Sequence, residues 1–339
     1  MSAQASSQSL ETVAIFKPQS GCKATEIVSI QDTTNRLALS CSSEGIVEII
    51  SIDNPSQPTP VNHFKVTSDE EISAVAFHPV ENVFAVAVIN NDPFTKGKIQ
   101  IHAASSGEIE NTLEAGVHPD GMAFSPNGKY LVVANEGEAY HYNGKDYESP
   151  EGSMPFVDFT SATQAEVTQI KLEDFSGVEG MMHKKRARKF ERIITGGNSD
   201  EEIKISIKDN LPSNTEPEFV TFSPDGSKAY ISLQENNGIL VINTSTAKIE
   251  EVFGLGITEH LADLDDNEKV KFNDTLIALR EPDGIAVSPN GKYLLTADEG
   301  DTDPKASKTP GKKPKGGGDA HLVYLMQRVV HLSRILQIN

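Results

Sequence analysis

The chain has 339 residues, enough for one large domain or two ordinary ones with a sizeable core. Its 49 Asp and Glu residues outnumber 30 Lys and Arg, and the formal net charge of -19 argues against a nucleic-acid surface and favours cationic ligands. The sequence contains no run of eighteen apolar residues, so it predicts no transmembrane segment.

The N-terminal segment, residues 1–23, has neither the basic start nor the apolar run of a secretory signal. Cys22 and Cys41 are the two cysteines, and the residues alone leave open whether they pair or remain free thiols. Sequons occur at Asn243 and Asn273. Because such triplets often arise by chance, they add little evidence for export.

A twenty-residue unit recurs along the chain. PDGMAFSPNGKYLVVANEGE begins at Pro119, and PDGIAVSPNGKYLLTADEGD begins at Pro282. PEFVTFSPDGSKAYISLQENN, from Pro217, matches with one inserted residue near Ser227, and ISAVAFHPVENVFAVAVINND, from Ile72, is a degenerate copy. The prolines of the four turns are spaced by 47, 98 and 65 residues, which indicates a repeat of about 40 to 50 residues.

Each unit has the pattern of short strands joined by tight turns. A hairpin is predicted by three successive segments: GMAFS, in which apolar and small or polar residues alternate, the turn PNGK and the apolar run YLVVA. Two further strand-like segments follow. The repeat therefore predicts an all-β fold, a β-propeller of four-stranded antiparallel blades, over residues 24–301; a β-sandwich would need no repeat. Blade-sized segments begin near Glu26, Ile72, Pro119, Gly177, Pro217 and Pro282.

Three regions depart from the blade pattern. Residues 178–211 include a basic stretch that predicts an irregular insertion, and the Pro/Gly/Lys-rich residues 302–320 predict a disordered linker. Residues 321–339 predict an amphipathic C-terminal helix outside the propeller. We therefore expect roughly five full or partial blades in an incomplete ring, with self-association through the open ring or this helix. The apolar stripe of the predicted helix comprises Leu322, Leu325, Val329, Leu332 and Leu336.

Carboxylates recur where the first strand of each unit begins and the second ends. These positions meet at one rim of a propeller, where clustered carboxylates favour Ca²⁺ or another divalent metal because such cations prefer oxygen ligands. A solvated acidic rim that only aids solubility is the alternative. The candidate metal ligands are Asp120, Glu136, Glu138, Glu218, Glu235, Asp283, Asp298, Glu299 and Asp301.

A metal beside carboxylates could also polarise a phosphoryl oxygen and activate water. His118 is the candidate catalytic residue for such chemistry, although a loop histidine is more often structural. The sequence has no Gly-x-Ser-x-Gly, HExxH, P-loop or GxGxxG motif. A protein or small-molecule binding scaffold is therefore the first hypothesis, and a metal-dependent phosphoric ester hydrolase is the second.

The segments HPDGMAFSPNGKYLVVANEGE, EPEFVTFSPDGSKAYISLQENN and EPDGIAVSPNGKYLLTADEGD resemble, in this order, the choice-of-anchor I proteins. These are YVTN-like, WD40-like β-propellers that include mesenchyme-specific cell-surface glycoproteins, and some members are labelled alkaline phosphatases. The resemblance covers about residues 24–301. It implies an extracellular or cell-surface location, and the continuation of the family's blades beyond Asp301 implies that this chain is truncated.

Overall fold

The computed structural model describes residues 11–18, 21–137, 150–172, 215–234, 236–262, 269–272, 274–298 and 331–337. Within these ranges the regular structure is β, apart from one 3₁₀ turn at Asp32–Thr34. The ranges contain no helix with the length and hydropathy needed to cross a bilayer.

Five antiparallel sheets carry the fold, each with its strands in sequence order. Sheet I comprises β1 (Val28–Gln31), β2 (Arg36–Cys41), β3 (Ile46–Ser51) and β4 (Thr59–Lys65). Sheet II comprises β5 (Ile72–Phe77), β6 (Val83–Val88), β7 (Lys96–Ala103) and β8 (Ile109–Val117). Sheet III comprises β9 (Pro119–Phe124), β10 (Tyr130–Asn135), β11 (Ser153–Ser161) and β12 (Gln164–Lys171).

The second half of the chain forms the remaining sheets. Sheet IV comprises β13 (Pro217–Phe222), β14 (Lys228–Leu233), β15 (Gly238–Asn243) and β16 (Lys248–Gly254). Next come β17 (Ile257–Ala262) and β18 (Asp274–Leu279), a separate two-stranded pair that we call the inserted hairpin. Sheet V comprises β19 (Pro282–Val287), β20 (Tyr293–Asp298) and β21 (His331–Gln337).

The first strand of each sheet lies next to the first strand of the following sheet, so the five sheets are arranged in chain order around an axis. β9 contacts β5 on one side and β13 on the other, and β13 also contacts β19. Each repeated twenty-residue unit forms the first two strands of its sheet, for example β9 and β10. The predicted propeller of antiparallel blades, with the repeat as its inner hairpin, is confirmed.

Apolar clusters fill the spaces between successive sheets. One joins sheets I and II around Ile49 and Phe84, and the next joins II and III around Ile99 and Leu131. Two more join III to IV and IV to V. Among the described residues no such cluster joins sheet V to sheet I, which agrees with the expected incomplete ring.

Burial by neighbours on both faces explains why inner strands have continuous apolar runs. All six residues of β5 and all six of β6 are buried, because sheet II lies between I and III. The outer strands β4 and β16 contain only exposed and partly buried residues. The outermost strands therefore carry the exposed edge of these sheets.

A six-residue turn closes the inner hairpin of sheet III. The amide of Ser125 donates to Tyr130 O (2.8 Å), and the amide of Tyr130 donates to Ser125 Oγ (2.9 Å). Asn127 Oδ1 accepts from Ser125 Oγ (2.8 Å), while Gly128 takes a φ of 74° that side chains disfavour. The same bonds recur at Ser223–Lys228 and Ser288–Tyr293.

The prediction of one inserted residue near Ser227 is wrong, because all three turns have the same length. The first residue of each unit pairs with a residue sixteen positions later in all three sheets. In sheet III the residue after the paired Asn135 is Glu136. The equivalent residue in sheet IV, after the paired Leu233, is therefore Gln234 and not Glu235. The pairs are Pro119 with Asn135, Pro217 with Leu233 and Pro282 with Asp298.

The two cysteines form a disulfide. Cys22 and Cys41 have Cα atoms 5.5 Å apart, and Cys41 is the last residue of β2. Ser42, the next residue, donates a hydrogen bond from its hydroxyl to Glu26. The segment that leads into β1 is therefore fastened to the end of β2.

The C-terminal helix prediction is wrong for residues 331–337, which form strand β21. This strand pairs with β20, for example Leu336 with Leu294 and His331 with Asp298. Pairing with β21 satisfies the backbone N–H and C=O groups at the edge of β20 and adds a third strand to sheet V. A short helix at the same place would leave those edge groups of β20 unpaired. The predicted insertion 178–211, the linker 302–320 and residues 321–330 lie outside the described residues.

Candidate functional site

Acidic side chains meet where the inner strands begin, an end of the ring that we call the mouth. Asp120, Glu218 and Asp283 are each the second residue of an inner strand and follow the paired prolines described above. This placement agrees with the prediction that these three carboxylates share one rim. Asp283 is exposed, whereas Asp120 and Glu218 are partly buried.

Glu26 occupies the same position in sheet I, which sequence reasoning missed. The amide of Ile27 donates to Ser40 Oγ (3.0 Å), just as the amide of Phe219 donates to Ser232 Oγ (2.9 Å) in sheet IV. Glu26 therefore corresponds to Glu218. The missed signal is the spacing: 47 residues separate Glu26 from Ser73, and 47 separate Ser73 from Asp120.

Ser73 takes the corresponding position in sheet II. Its hydroxyl donates to Pro119 O (2.6 Å) and so joins inner strands β5 and β9 at the mouth. Gly121 allows a similarly close approach on the other side of β9, because a Cβ built there would lie 2.1 Å from Glu218 O. The mouth is thus narrow, and four of its five equivalent positions are acidic.

Asp120 is strongly affected by this convergence. Its pKa is raised from the usual 3.8 to about 7, first by burial and next by the negative charge of Glu136. His118 opposes this rise, while Asp283 and Glu26 add to it. The carboxylates of sheets I, III and V therefore act on one another electrostatically.

His118 and Glu136 are in direct contact at the mouth, and His118 is close to Asp120 in the sequence. His118 Nδ1 lies 2.8 Å from Glu136 Oε2, and both side chains are more than four-fifths buried. The amide of Glu136 also donates to His118 O (2.9 Å), and His118 has a φ of 49°. This geometry places a histidine and a carboxyl in direct contact at the mouth, as a general acid–base pair would require.

Asp298 belongs to a different environment from the other predicted ligands. Its Oδ2 accepts from Arg280 Nη1 at 3.0 Å, and both side chains are about nine-tenths buried. The guanidinium balances its charge within the same part of the fold. Sequence reasoning missed Arg280, because its partner is set by the path of the inserted hairpin rather than by a repeat.

Four of the predicted metal ligands lie outside the described residues. In the ranges that the structure describes, no three His, Cys, Asp or Glu side chains are grouped closely enough to share one metal ion. The four are Glu138, Glu235, Glu299 and Asp301.

The opposite end of the ring is built by the inner turns. His78 Nδ1 accepts from the amides of Val80 (3.1 Å) and Glu81 (2.8 Å), and its Nε2 donates to Gly128 O (2.9 Å). Nδ1 thus holds the inner turn of sheet II, Nε2 joins this turn to sheet III, and burial lowers the pKa of His78. This end is held by neutral contacts, in contrast to the acidic mouth.

Comparisons with known proteins agree with this architecture. The chain is similar to the hydrazine synthase of Kuenenia stuttgartiensis (12% identity, TM-score 0.50, 80% of this chain and 67% of that chain). It is also similar to a functionally unknown protein of Desulfotomaculum acetoxidans DSM 771 (15% identity, TM-score 0.52, 86% of this chain and 68% of that chain). At such identities the likeness shows the fold alone. No curated protein sequence matches significantly.

A third solved structure, the Cps50 (Swd1) β-propeller domain of Myceliophteria thermophila, has 10% identity and a TM-score of 0.46 over 81% of this chain and 62% of that chain. The model of the choice-of-anchor I domain matches residues 26–318, the region that contains sheets I to IV and the first two strands of sheet V. The chain therefore belongs to the choice-of-anchor I family.

Proposed function

We propose that this propeller is an extracellular or cell-surface binding scaffold whose acidic mouth holds a cationic ligand. The observation that carries the proposal is the equivalent position of four carboxyls at the mouth: Asp120, Glu218 and Asp283 lie on inner strands, and Glu26 lies just before the inner strand of sheet I. A ring of like charges opposes folding unless a cation balances it. A ligand that neutralises the mouth would therefore bind and stabilise the fold together.

Ca²⁺ is the cation that this set of donors fits best. Carboxylate oxygens from several strands suit its large and flexible coordination shell, and the described part of the mouth offers no thiolate. Asp120, Glu136 and Asp283 would move closer together around the ion, because they are not grouped closely enough to share it in this structure, although the latter two charges already act on Asp120. Bound Ca²⁺ would supply positive charge that joins sheets III and V.

The disulfide supports the proposed location. Disulfides persist in oxidising compartments and are rare in the cytosol. Cys22 and Cys41 are both used in this bond, and the chain has no other cysteine. A sequon at Asn243, the last residue of β15, is compatible with passage through a secretory route.

Isothermal titration with Ca²⁺ tests the cation site. Adding Ca²⁺ to the natural chain should give a heat of binding and raise its melting temperature. Adding Ca²⁺ to the Asp120→Asn variant should give no heat of binding and leave the melting temperature of that variant unchanged. Asp158→Asn is the matched control, since Asp158 is exposed on the third strand of sheet III. Equal Ca²⁺ binding by both variants, or none by the natural chain, would contradict the proposal.

A metal-dependent phosphoesterase is the second candidate, favoured by the contact between His118 and Glu136. In that role the imidazole would transfer a proton and a bound metal would polarise the phosphoryl oxygen. Hydrolysis of p-nitrophenyl phosphate, measured with and without EDTA, separates enzyme from scaffold. Activity that EDTA removes and that Glu136→Gln abolishes would favour the enzyme.

A further inference from the structure

The inserted hairpin occupies the connection from sheet IV to sheet V, which is much longer than the corresponding connections from sheet I to II and from sheet II to III. A single residue, His118, joins β8 to β9, whereas 27 residues separate Gly254 at the end of β16 from Pro282 at the start of β19. Both ends of this connection lie at the mouth, because the fourth strand ends and the next first strand begins there. The hairpin therefore arises beside the acidic positions.

One buried asparagine fastens both ends of the insertion. Asn237 Nδ2 donates to Gly256 O (2.8 Å), and its Oδ1 accepts from the amides of Arg280 and Glu281 (both 3.0 Å). Asn237 is fully buried and has a φ of 53°. Arg280 extends the attachment to sheet V through its ion pair with Asp298. The base of the hairpin is thus held firmly next to Asp283.

The far end of the hairpin exposes large apolar side chains. Ile257 pairs with Leu279 at the base, and Ala262 pairs with Asp274 at the far end. Leu261 (62% exposed), Val270 (78%) and Phe272 (63%) all lie near that far end. Six residues of strand place them about 20 Å from the mouth. We call these three residues the tip.

We propose that the tip and the mouth form one docking surface for a segment of a partner protein that carries both apolar and basic side chains. The basic side chains would meet Asp283 and Glu218 at the mouth, and the apolar side chains would cover the tip. The acidic half of this surface rests on the proposed function; the apolar half does not.

Charge decides between a protein segment and a membrane as the occupant. Exposed apolar groups at the end of a hairpin would also suit a bilayer, but a chain of net charge -19 is repelled by anionic lipid. Basic side chains complement the carboxylates at the base of the same hairpin. Carboxylates at the base of the hairpin and apolar side chains at its tip therefore favour a peptide of mixed character that extends along the hairpin.

Two synthetic peptides provide the probe. One alternates Lys with Leu and Phe, and the other has the same lysines with Ser in place of Leu and Phe. Fluorescence anisotropy at physiological salt should give at least tenfold tighter binding for the apolar peptide, because covering Val270 and Phe272 removes apolar surface from water. Ca²⁺ should weaken both peptides, since it uses the same carboxylates.

Variants separate the two halves of the surface. Val270→Ser with Phe272→Ser should abolish the preference for the apolar peptide and leave the binding of the Ser peptide unchanged. Asp283→Asn should weaken both peptides by several fold. Val80→Ser is the matched control, because Val80 is 68% exposed at the opposite end of the ring and should not matter.

Three results would overturn the inference: equal affinity for the two peptides, a preference that survives the double tip variant, or binding of anionic vesicles that the tip variant abolishes. Tip-dependent dimerisation in size-exclusion chromatography with light scattering would also overturn it, because the tip would then bind a second copy of this chain. Failure of Ca²⁺ to bind, with the peptide preference intact, would reject only the metal site.

Discussion

Replacing Asp120 by Asn should stabilise the protein, and more strongly at high pH than at low pH. The pKa of this carboxyl is about 7 in the folded protein and 3.8 in an exposed chain. Between these values the folded state holds a proton that the unfolded state has lost, so stability falls as pH rises through this window. Below pH 3.8 both states are protonated and the effect vanishes.

The size of the effect follows from the two pKa values. Relative to a neutral side chain, ionisable Asp120 costs roughly 1.5 kcal/mol at pH 5 and roughly 4 kcal/mol at pH 8. Asn has nearly the shape of protonated Asp, so Asp120→Asn should raise the free energy of unfolding by about 2.5 kcal/mol more at pH 8 than at pH 5.

Urea-induced unfolding at both pH values measures this difference. Far-UV circular dichroism is the suitable probe, because the chain contains no Trp. Asp158→Asn serves again as the control, because it removes an exposed carboxylate of the same sheet away from the mouth. An equal gain for Asp120→Asn at pH 5 and pH 8, or a larger gain at pH 5, would refute the claim that burial and neighbouring carboxylates act on Asp120.

Three further variants test the packing that positions the mouth. Gly121→Ala should destabilise the fold by about 1 to 3 kcal/mol, because its Cβ would lie 2.1 Å from Glu218 O; an unchanged melting temperature would contradict this close approach. Replacing both Cys22 and Cys41 by Ser should cost about 3 kcal/mol of unfolding free energy, and dithiothreitol should then have no additional effect on the thermal melt. Phe84→Ala should cost about 3 to 5 kcal/mol in a urea titration, since this ring is fully buried between sheets I and II; a loss under 1 kcal/mol would mean that the cluster repacks.

The fold could be predicted because its information is local and repeated. The turn at Ser125 carries its own hydrogen-bonding groups, and the flanking strands are apolar runs of the right length. A copy of the same turn at Ser288 reveals the repeat, and the repeat predicts sheets around an axis. Sheet I has no such turn, which is why Glu26 was not recognised as an equivalent of Asp120.

The parts that were missed depend on contacts between distant segments. The ion pair of Arg280 with Asp298 requires that the inserted hairpin return to the mouth, and no local pattern predicts that path. Strand β21 shows the same limit. Its seven residues fit a helical stripe, but the exposed edge of β20 offers hydrogen bonds that only a strand can use. Long-range pairing outweighs local periodicity in both cases.

The equal lengths of the inner turns have a consequence for how such chains can vary. One residue added between Ser125 and Tyr130 would shift β10 by one position and point its side chains to the opposite face of the sheet. The stretch between β16 and β19, by contrast, already holds 27 residues whose ends are fastened by a single asparagine. We expect homologues to gain and lose residues between sheets, and a foreign domain spliced into that stretch would leave the axis of the propeller undisturbed.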